Sequence, residues 1–91
     1  MRIIIEETLN DLLPYLGQQM VINIEEINDS NIDRLLDADE LVVIGVGREN
    51  SILVSHMINS RQNDAKVITL VQQHPNLLVL LDKEGAQKIY E

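Results

Sequence analysis

The chain has 91 residues, a length that suits a single domain over residues 1–91. It has no Cys, which excludes disulfides and thiolate metal sites, and its two His residues do not indicate a metal site. Fifteen acidic and seven basic residues give a net charge of −8 and only two residues are aromatic, so no nucleic-acid partner is expected.

The first half of the chain alternates between strand-like and helix-like patterns. Arg2–Glu6 is β-branched and predicts a buried strand. Leucines spaced three and four apart then predict a helix over Leu9–Leu16, which Pro14 should shorten or kink. Met20–Ile24 predicts a second strand, and a short helix containing Ile32, Leu35 and Leu36 follows it. Two residues can cap that helix, Asp29 and Ser30.

The second half continues the alternation. Leu41–Val46 is almost purely apolar, as a strand covered on both faces must be. A helix follows with Asn50 or Ser51 near its start, and Lys66–Val71 predicts a fourth strand. A helix over Asn76–Glu84 is expected next, because Pro75 precedes it and Gly85 follows it. Gln87–Tyr90 predicts a short fifth strand.

The run Leu77–Leu81 bears on both structure and association. It is the longest apolar run and far too short to cross a bilayer, so we expect a cytoplasmic protein without direct membrane insertion. Five consecutive apolar residues cover more than one face of a helix, so some should be exposed and favour self-association. The alternative to a helix over Asn76–Glu84 is that this run forms a β-hairpin with its turn at Asp82–Gly85.

Alternating strands and helices with short connections predict an α/β fold. The expected architecture is doubly wound, with helices on both faces of a five-stranded, mostly parallel sheet. The Rossmann-like or flavodoxin-like strand order 2-1-3-4-5 is well formed for five such strands, with residues 41–46 in the middle.

From about Asp39 onward the sequence resembles the second half of a TrkA-type, regulator-of-potassium-conductance (RCK) N-terminal domain. Three segments carry the resemblance in the order in which the family has them: Ala38–Ile44 (ADELVVI), Gly45–Leu53 (GVGRENSIL), and Lys66–Ile68 (KVI) through Pro75 to Leu81–Ala86 (LDKEGA). The first forty residues fit less closely. The family's glycine-rich G-x-G-x-x-G turn, which holds a pyrophosphate, is absent from the 91 residues.

The resemblance implies a set of cofactor-binding candidates. These are Glu6 and Glu25 as strand-end acids, Gly45 and Gly47 around the end of the central strand, the neighbouring cation Arg48, and Asn50, which stands where the third glycine belongs. The implied ligand is NAD(H) or an adenine nucleotide, bound weakly because the pyrophosphate turn is missing. The alternatives are that Glu6 is a solvated strand end, that the glycines serve helix packing and that Arg48 neutralises Glu49.

The resemblance therefore predicts a regulatory or ligand-sensing domain of the potassium-transport type. It would act as a homodimer, with a membrane transporter subunit as a partner. No nucleophile, phosphoacceptor or catalytic His arrangement is recognisable, so no enzymatic activity is expected. The alternative is a non-catalytic protein-interaction subunit without a small ligand.

Overall fold

The computed structural model describes residues 1–59 and 67–89. These residues form an α/β domain with one sheet of four parallel strands. The strands are β1 (Arg2–Glu6), β2 (Met20–Asn23), β3 (Leu41–Gly45) and β4 (Leu77–Asp82). The α-helices are α1 (Leu9–Leu12), α2 (Ile32–Leu36) and α3 (Ser51–Asn59). Four 3₁₀ segments are Leu13–Tyr15, Ile24–Glu26, Arg48–Asn50 and Val67–Gln73.

The strand order is β1-β4-β3-β2, so β4 and β3 are central and β1 and β2 are the two edges. The connection from β1 to β2 passes over two strands, whereas the later connections join neighbours. The connection from β1 to β2 therefore crosses the sheet in one direction, and the connections from β2 to β3 and from β3 to β4 run back in the other. Right-handed crossovers place connections of opposite direction on opposite faces of a sheet.

The two faces of the sheet are covered to different degrees. On one face Leu12 of α1 packs against Val42 and Leu80 in a small cluster. On the other face α2, α3 and the segment Val67–Gln73 cover a larger core. That core includes Leu35, Leu41, Val43, Val54, Met57, Val71, Val79 and Leu81. Helices therefore lie on both faces, as the alternating pattern predicted.

The helix ends follow local chemistry. The amide and the hydroxyl of Thr8 both donate to Asp11 Oδ2, at 3.2 and 3.0 Å, and this begins α1. Pro14 occupies the first turn of the 3₁₀ segment that follows, so the predicted helix Leu9–Leu16 is shortened as expected. Before α2, the Asn28 carbonyl and side chain accept from the amides of residues 30–32, a role that the sequence reasoning gave to Asp29 or Ser30.

The buried His74 joins the loops at the amino ends of the central strands. Its Nε2 lies 2.5 Å from the Ala38 carbonyl oxygen, and its Nδ1 accepts from the Asn76 amide at 2.9 Å. Because a carbonyl only accepts, Nε2 carries the hydrogen. The Asn76 side chain donates to the Asp39 carbonyl at 3.0 Å, which adds a second link.

Two predicted strands are corrected by the structure. Val67–Gln73 is a 3₁₀ segment packed on α3, not a fourth strand, and Lys66 lies outside the described residues. Gln87–Ile89 forms turns instead of a fifth strand, and Tyr90 lies outside the described residues. The predicted order 2-1-3-4-5 is therefore wrong. Both segments have strand-like composition, but the sheet that forms places no partner beside them.

The predicted helix over Asn76–Glu84 is also wrong, because Leu77–Asp82 is β4, one of the two central strands. The hairpin alternative is wrong as well, since β4 pairs in parallel with β1 and β3. Its apolar run is covered on both faces and from both sides, with Leu78 only partly exposed. The run therefore does not present the exposed leucines that were expected to favour self-association.

Candidate functional site

The topology singles out the carboxyl ends of β1 and β4. In open α/β sheets, ligands bind outside the carboxyl ends of two neighbouring strands whose connections leave to opposite faces. The chain leaves β1 toward the α1 face, whereas Ala86 and Ile89 after β4 pack into the core on the other face. Glu6 and Asp82 end these two strands and are register partners. We call these strand ends, with the loop after β3, the carboxyl edge.

The Asp82 carboxylate organises the carboxyl edge. Its Oδ1 accepts from the Gly85 amide at 2.7 Å and from the Gly47 amide at 3.1 Å, and its Oδ2 lies 3.3 Å from the Gly47 nitrogen. The side chain is buried, with 9% of its surface exposed. Hydrogen bonds to a carboxylate are stronger than neutral ones, so Asp82 ties the loop after β3 to the end of β4.

Glycines allow this close packing. Gly47 has φ of +94°, a conformation that residues with a side chain rarely adopt. A Cβ on Gly85 would lie 2.0 Å from the Gly45 carbonyl oxygen, and one on Gly45 would lie 2.5 Å from Val54 Cγ2. Gly45 and Gly85 therefore serve contact within the protein, which is one of the two alternatives that the sequence left open for Gly45.

Glu6 contacts a tyrosine from the segment after α1. The Tyr15 hydroxyl donates to Glu6 Oε1 at 3.2 Å. This hydrogen bond, together with the negative charge of Glu6, raises the pKa of Tyr15 above 10.0. Glu6 is half-buried, so its carboxylate remains accessible beside the phenol.

The basic side chains at the carboxyl edge are exposed. Lys83 forms an ion pair with Glu7 at 2.5 Å, with each side chain 67% exposed, so the pair contributes little to stability. Arg48 begins the 3₁₀ turn after Gly47 and is exposed. Five carboxylates also lie at this edge: Glu6, Glu7, Glu49, Asp82 and Glu84.

The remaining predicted site residues do not converge on Glu6. Asn50 is buried, and its side chain donates to the Val46 carbonyl at 2.8 Å within the same loop. Glu25 is exposed on the 3₁₀ turn after β2, at the opposite edge of the sheet. Three strand spacings separate β1 from β2, roughly 14 Å, so Glu6 and Glu25 cannot hold one ribose together.

Sequence reasoning missed Asp82, Gly85 and Tyr15 as members of this edge. The signal for Asp82 was present, since an acid ends an apolar run and a glycine follows three residues later. The predicted helix over Asn76–Glu84 hides this signal, because it does not make Asp82 the end of a strand. Tyr15 had no local signal, because its contact with Glu6 depends on where the segment after α1 lies.

Three clefts described in the structure lie away from the carboxyl edge. One of about 220 Å³ is at the amino ends of the strands, where Arg2, Leu41 and Leu77 contribute to its lining. A second borders it near Gln18 and Glu40, and the third lies outside α3 near Ser55. Among residues 1–59 and 67–89, no three acidic or His side chains are grouped to hold a metal ion. No helix in that part of the chain is long and apolar enough to cross a membrane.

Comparison with known proteins gives short partial similarities. No protein-family model matches the chain, and no solved structure matches it. It is 35% identical to an E3 ubiquitin-protein ligase listerin of Caenorhabditis briggsae over 74 aligned residues. This alignment covers 81% of this chain and 4% of the ligase. It is 31% identical to a glucosamine-6-phosphate deaminase of Mycolicibacterium smegmatis over 55 aligned residues. This second alignment covers 60% of this chain and 21% of the deaminase. The chain thus spans a small part of either protein.

Proposed function

We propose that this chain is a non-catalytic protein-interaction domain. The observation that carries the proposal is that the Gly47 and Gly85 amides already donate hydrogen bonds to the Asp82 carboxylate. In nucleotide-binding α/β domains, backbone amides after the strands hold phosphate. Here an internal carboxylate takes that place, and a phosphate would also meet the charge of Glu6 and Glu84.

Exposed apolar side chains support an interaction role. Five of the seven large hydrophobic residues that are exposed within the described part of the chain come from its first fifteen residues. They are Met1, Ile3, Leu9, Leu13 and Tyr15. The segment from β1 through the 3₁₀ turn Leu13–Tyr15 therefore presents apolar surface that a partner could cover.

Affinity capture with the full chain tests this function. We expect the wild-type protein to retain a partner that a Leu9→Lys/Leu13→Lys variant loses, because charge on this segment opposes apolar contact. Asp33→Lys, on the exposed side of α2, serves as the control and should retain the same partner. Equal capture by all three proteins, after their folding is verified by circular dichroism, would contradict an interaction surface on this segment.

A ligand-sensing domain of the potassium-transport type is the second candidate. The observation that favours it is the position of Glu6, with the Tyr15 hydroxyl beside it, at the point where the connections of β1 and β4 diverge. On this hypothesis a nucleotide ribose would bind Glu6, and the domain would act as a cytoplasmic dimer on a transporter subunit. The residues from Ala38 to Ala86 that resemble TrkA-type domains support it.

Thermal unfolding with millimolar NAD, NADH, ATP or ADP separates the two candidates. An interaction domain should show no stabilisation by any of them. A saturable rise of the melting temperature that disappears in Glu6→Gln would favour ligand sensing instead. Glu25→Gln, at the opposite edge of the sheet, is the matched control.

A further inference from the structure

We propose that two copies of this chain pair their β1 strands in antiparallel orientation, about a two-fold axis at Ile4. The two four-stranded sheets would then form one continuous sheet. This inference rests on the proposed interaction function, and it names both the partner, a second copy, and the surface.

Strand β1 is an open edge. It pairs with β4 over its whole length in an unbroken register, from Arg2 to Glu6. Within residues 1–59 and 67–89, no other backbone group bonds to β1. The strand contains neither Pro nor Gly, and three isoleucines form its middle. Such a strand offers a row of unpaired donors and acceptors to another strand.

The charges of β1 are complementary to those of a second, antiparallel β1. With the axis at Ile4, Arg2 lies opposite Glu6 of the second copy, and Glu6 lies opposite its Arg2. Ile3 then faces Ile5 of the second copy, and the two Ile4 residues face each other. Cross-strand pairs of opposite charge and of β-branched residues stabilise antiparallel strands. A two-fold axis makes each of these favourable pairs occur twice.

The side chains of β1 are suitably placed for this pairing. Arg2, Ile4 and Glu6 lie on the same face of the sheet, because side chains alternate along a strand. On that face the Tyr15 hydroxyl binds Glu6. Arg2 is exposed and has no ion-pair partner among the residues that the structure describes. On the other face Ile3 is 42% exposed, so a second strand would cover apolar surface.

The other edge of the sheet lacks these features. Strand β2 has four residues, Met20–Asn23, with no charge at either end. The Asn23 side chain already donates to Glu26 Oε1 at 2.9 Å. A valine on β2, Val21, is 41% exposed, nearly the same as Ile3 on β1. Val21 therefore offers a matched control position.

A charge exchange tests the pairing. Sedimentation velocity over a series of concentrations should show the wild type in equilibrium with a species of twice the 10.3 kDa chain mass. Arg2→Glu and Glu6→Arg should each raise the dimer dissociation constant by about tenfold, because like charges then face each other. The double variant Arg2→Glu/Glu6→Arg restores opposite charges and should recover most of the wild-type affinity.

Substitutions on the two edges supply the control. Ile3→Lys should weaken the dimer, whereas Val21→Lys should leave it unchanged. Circular dichroism and thermal unfolding verify that each variant is folded. Arg2→Glu is the decisive single variant, because Glu6→Arg also removes the hydrogen bond from Tyr15.

Two results would overturn the pairing. One is a wild type that remains monomeric at the highest concentration, and the other is a dimer that neither single charge variant weakens. A monomer that still captures a different protein would overturn self-pairing and leave the interaction function standing. A dimer that responds to the charge exchange and also binds a nucleotide through Glu6 would support the pairing and contradict the proposed function.

Discussion

At the scale of single residues, Asp82 is the side chain on which the carboxyl edge depends. Two backbone amides, separated by 38 positions in the chain, donate to one buried carboxylate. If that carboxylate is removed, both amides lose their acceptor, the Gly85 amide in a buried place and the Gly47 amide in a half-buried one. A lost hydrogen bond to a charged group costs more than one between neutral groups.

We expect Asp82→Ala to lower the free energy of unfolding by about 2–4 kcal/mol. Asp82→Asn should cost less, because its amide oxygen can still accept from Gly85 and Gly47. Urea denaturation measures the effect, and Glu84→Ala, an exposed acid of the same loop, is the control. A loss for Asp82→Ala no larger than that for Glu84→Ala would show that Asp82 does not hold the two loops together.

The pair Tyr15 and Glu6 predicts a titration. The pKa of Tyr15 is raised above 10.0 by the hydrogen bond to Glu6 and by its charge. A pKa raised by folding contributes stability that is present below pH 10 and is lost as the pH rises through the folded-state pKa. In a Tyr90→Phe background, the near-ultraviolet absorbance of tyrosinate should report Tyr15 alone. Adding Glu6→Ala should lower the pKa toward 10.0, and an unchanged pKa would contradict the contact.

At the scale of elements, α1 is too short to be stable by itself. Four residues form little more than one helical turn, and isolated helices of that length do not persist in water. Two features hold it, the capping hydrogen bonds of Thr8 and the packing of Leu12 against Val42 and Leu80. Leu12 is its only buried residue. The stability of α1 therefore depends on its packing against the sheet.

Adjacent leucines of this segment allow a direct test. Leu12→Ala should lower the free energy of unfolding by about 2–5 kcal/mol, as expected for a fully buried leucine. Leu13→Ala should change it by less than about 0.5 kcal/mol, because Leu13 is 51% exposed. Thermal or urea unfolding of the two variants provides the comparison. Similar losses in both would indicate that α1 does not pack as the structure shows.

At the scale of the whole molecule, charge is distributed unevenly along the chain. Residues 1–45 contain two basic and ten acidic residues, whereas residues 46–91 contain five of each. The net charge of −8 is therefore carried by β1, β2 and the segments that join them to β3. At about 0.01 M salt the Debye length is about 30 Å, comparable to the 32 × 30 × 19 Å of the molecule. Repulsion then acts across the whole domain.

We expect salt to stabilise the protein. Raising NaCl from about 0.01 M to about 0.2 M should increase the free energy of unfolding by up to about 1 kcal/mol, because screening weakens the repulsion. A variant with three exposed acids neutralised should respond less: Asp37→Asn/Asp39→Asn/Glu40→Gln. Urea denaturation at each salt concentration measures the response. Destabilisation of the wild type by salt would mean that favourable ion pairs outweigh the repulsion.

The sequence alone determined the α/β class, the helices' presence between strands, and the first three strands to within a residue or two. These features follow from local patterns, namely β-branched runs, leucine spacing and turn residues. It also placed Glu6 and Gly47 at strand ends. Tertiary structure decided that Leu77–Asp82 is a strand between β1 and β3. A run of consecutive apolar residues has no period, so it fits a doubly covered strand and a buried helix equally well.

That one decision also determined the site. Placing β4 in the centre brings Asp82 to the Gly47 amide, 35 residues earlier in the chain, and leaves β1 as an open edge. Neither consequence has a local signature, because strand partners are chosen by burial and backbone pairing between distant segments. The positions of Glu6 and Gly47 at strand ends could therefore be predicted from the sequence, whereas Asp82 and the contacts of this edge emerged only when the sheet was assembled.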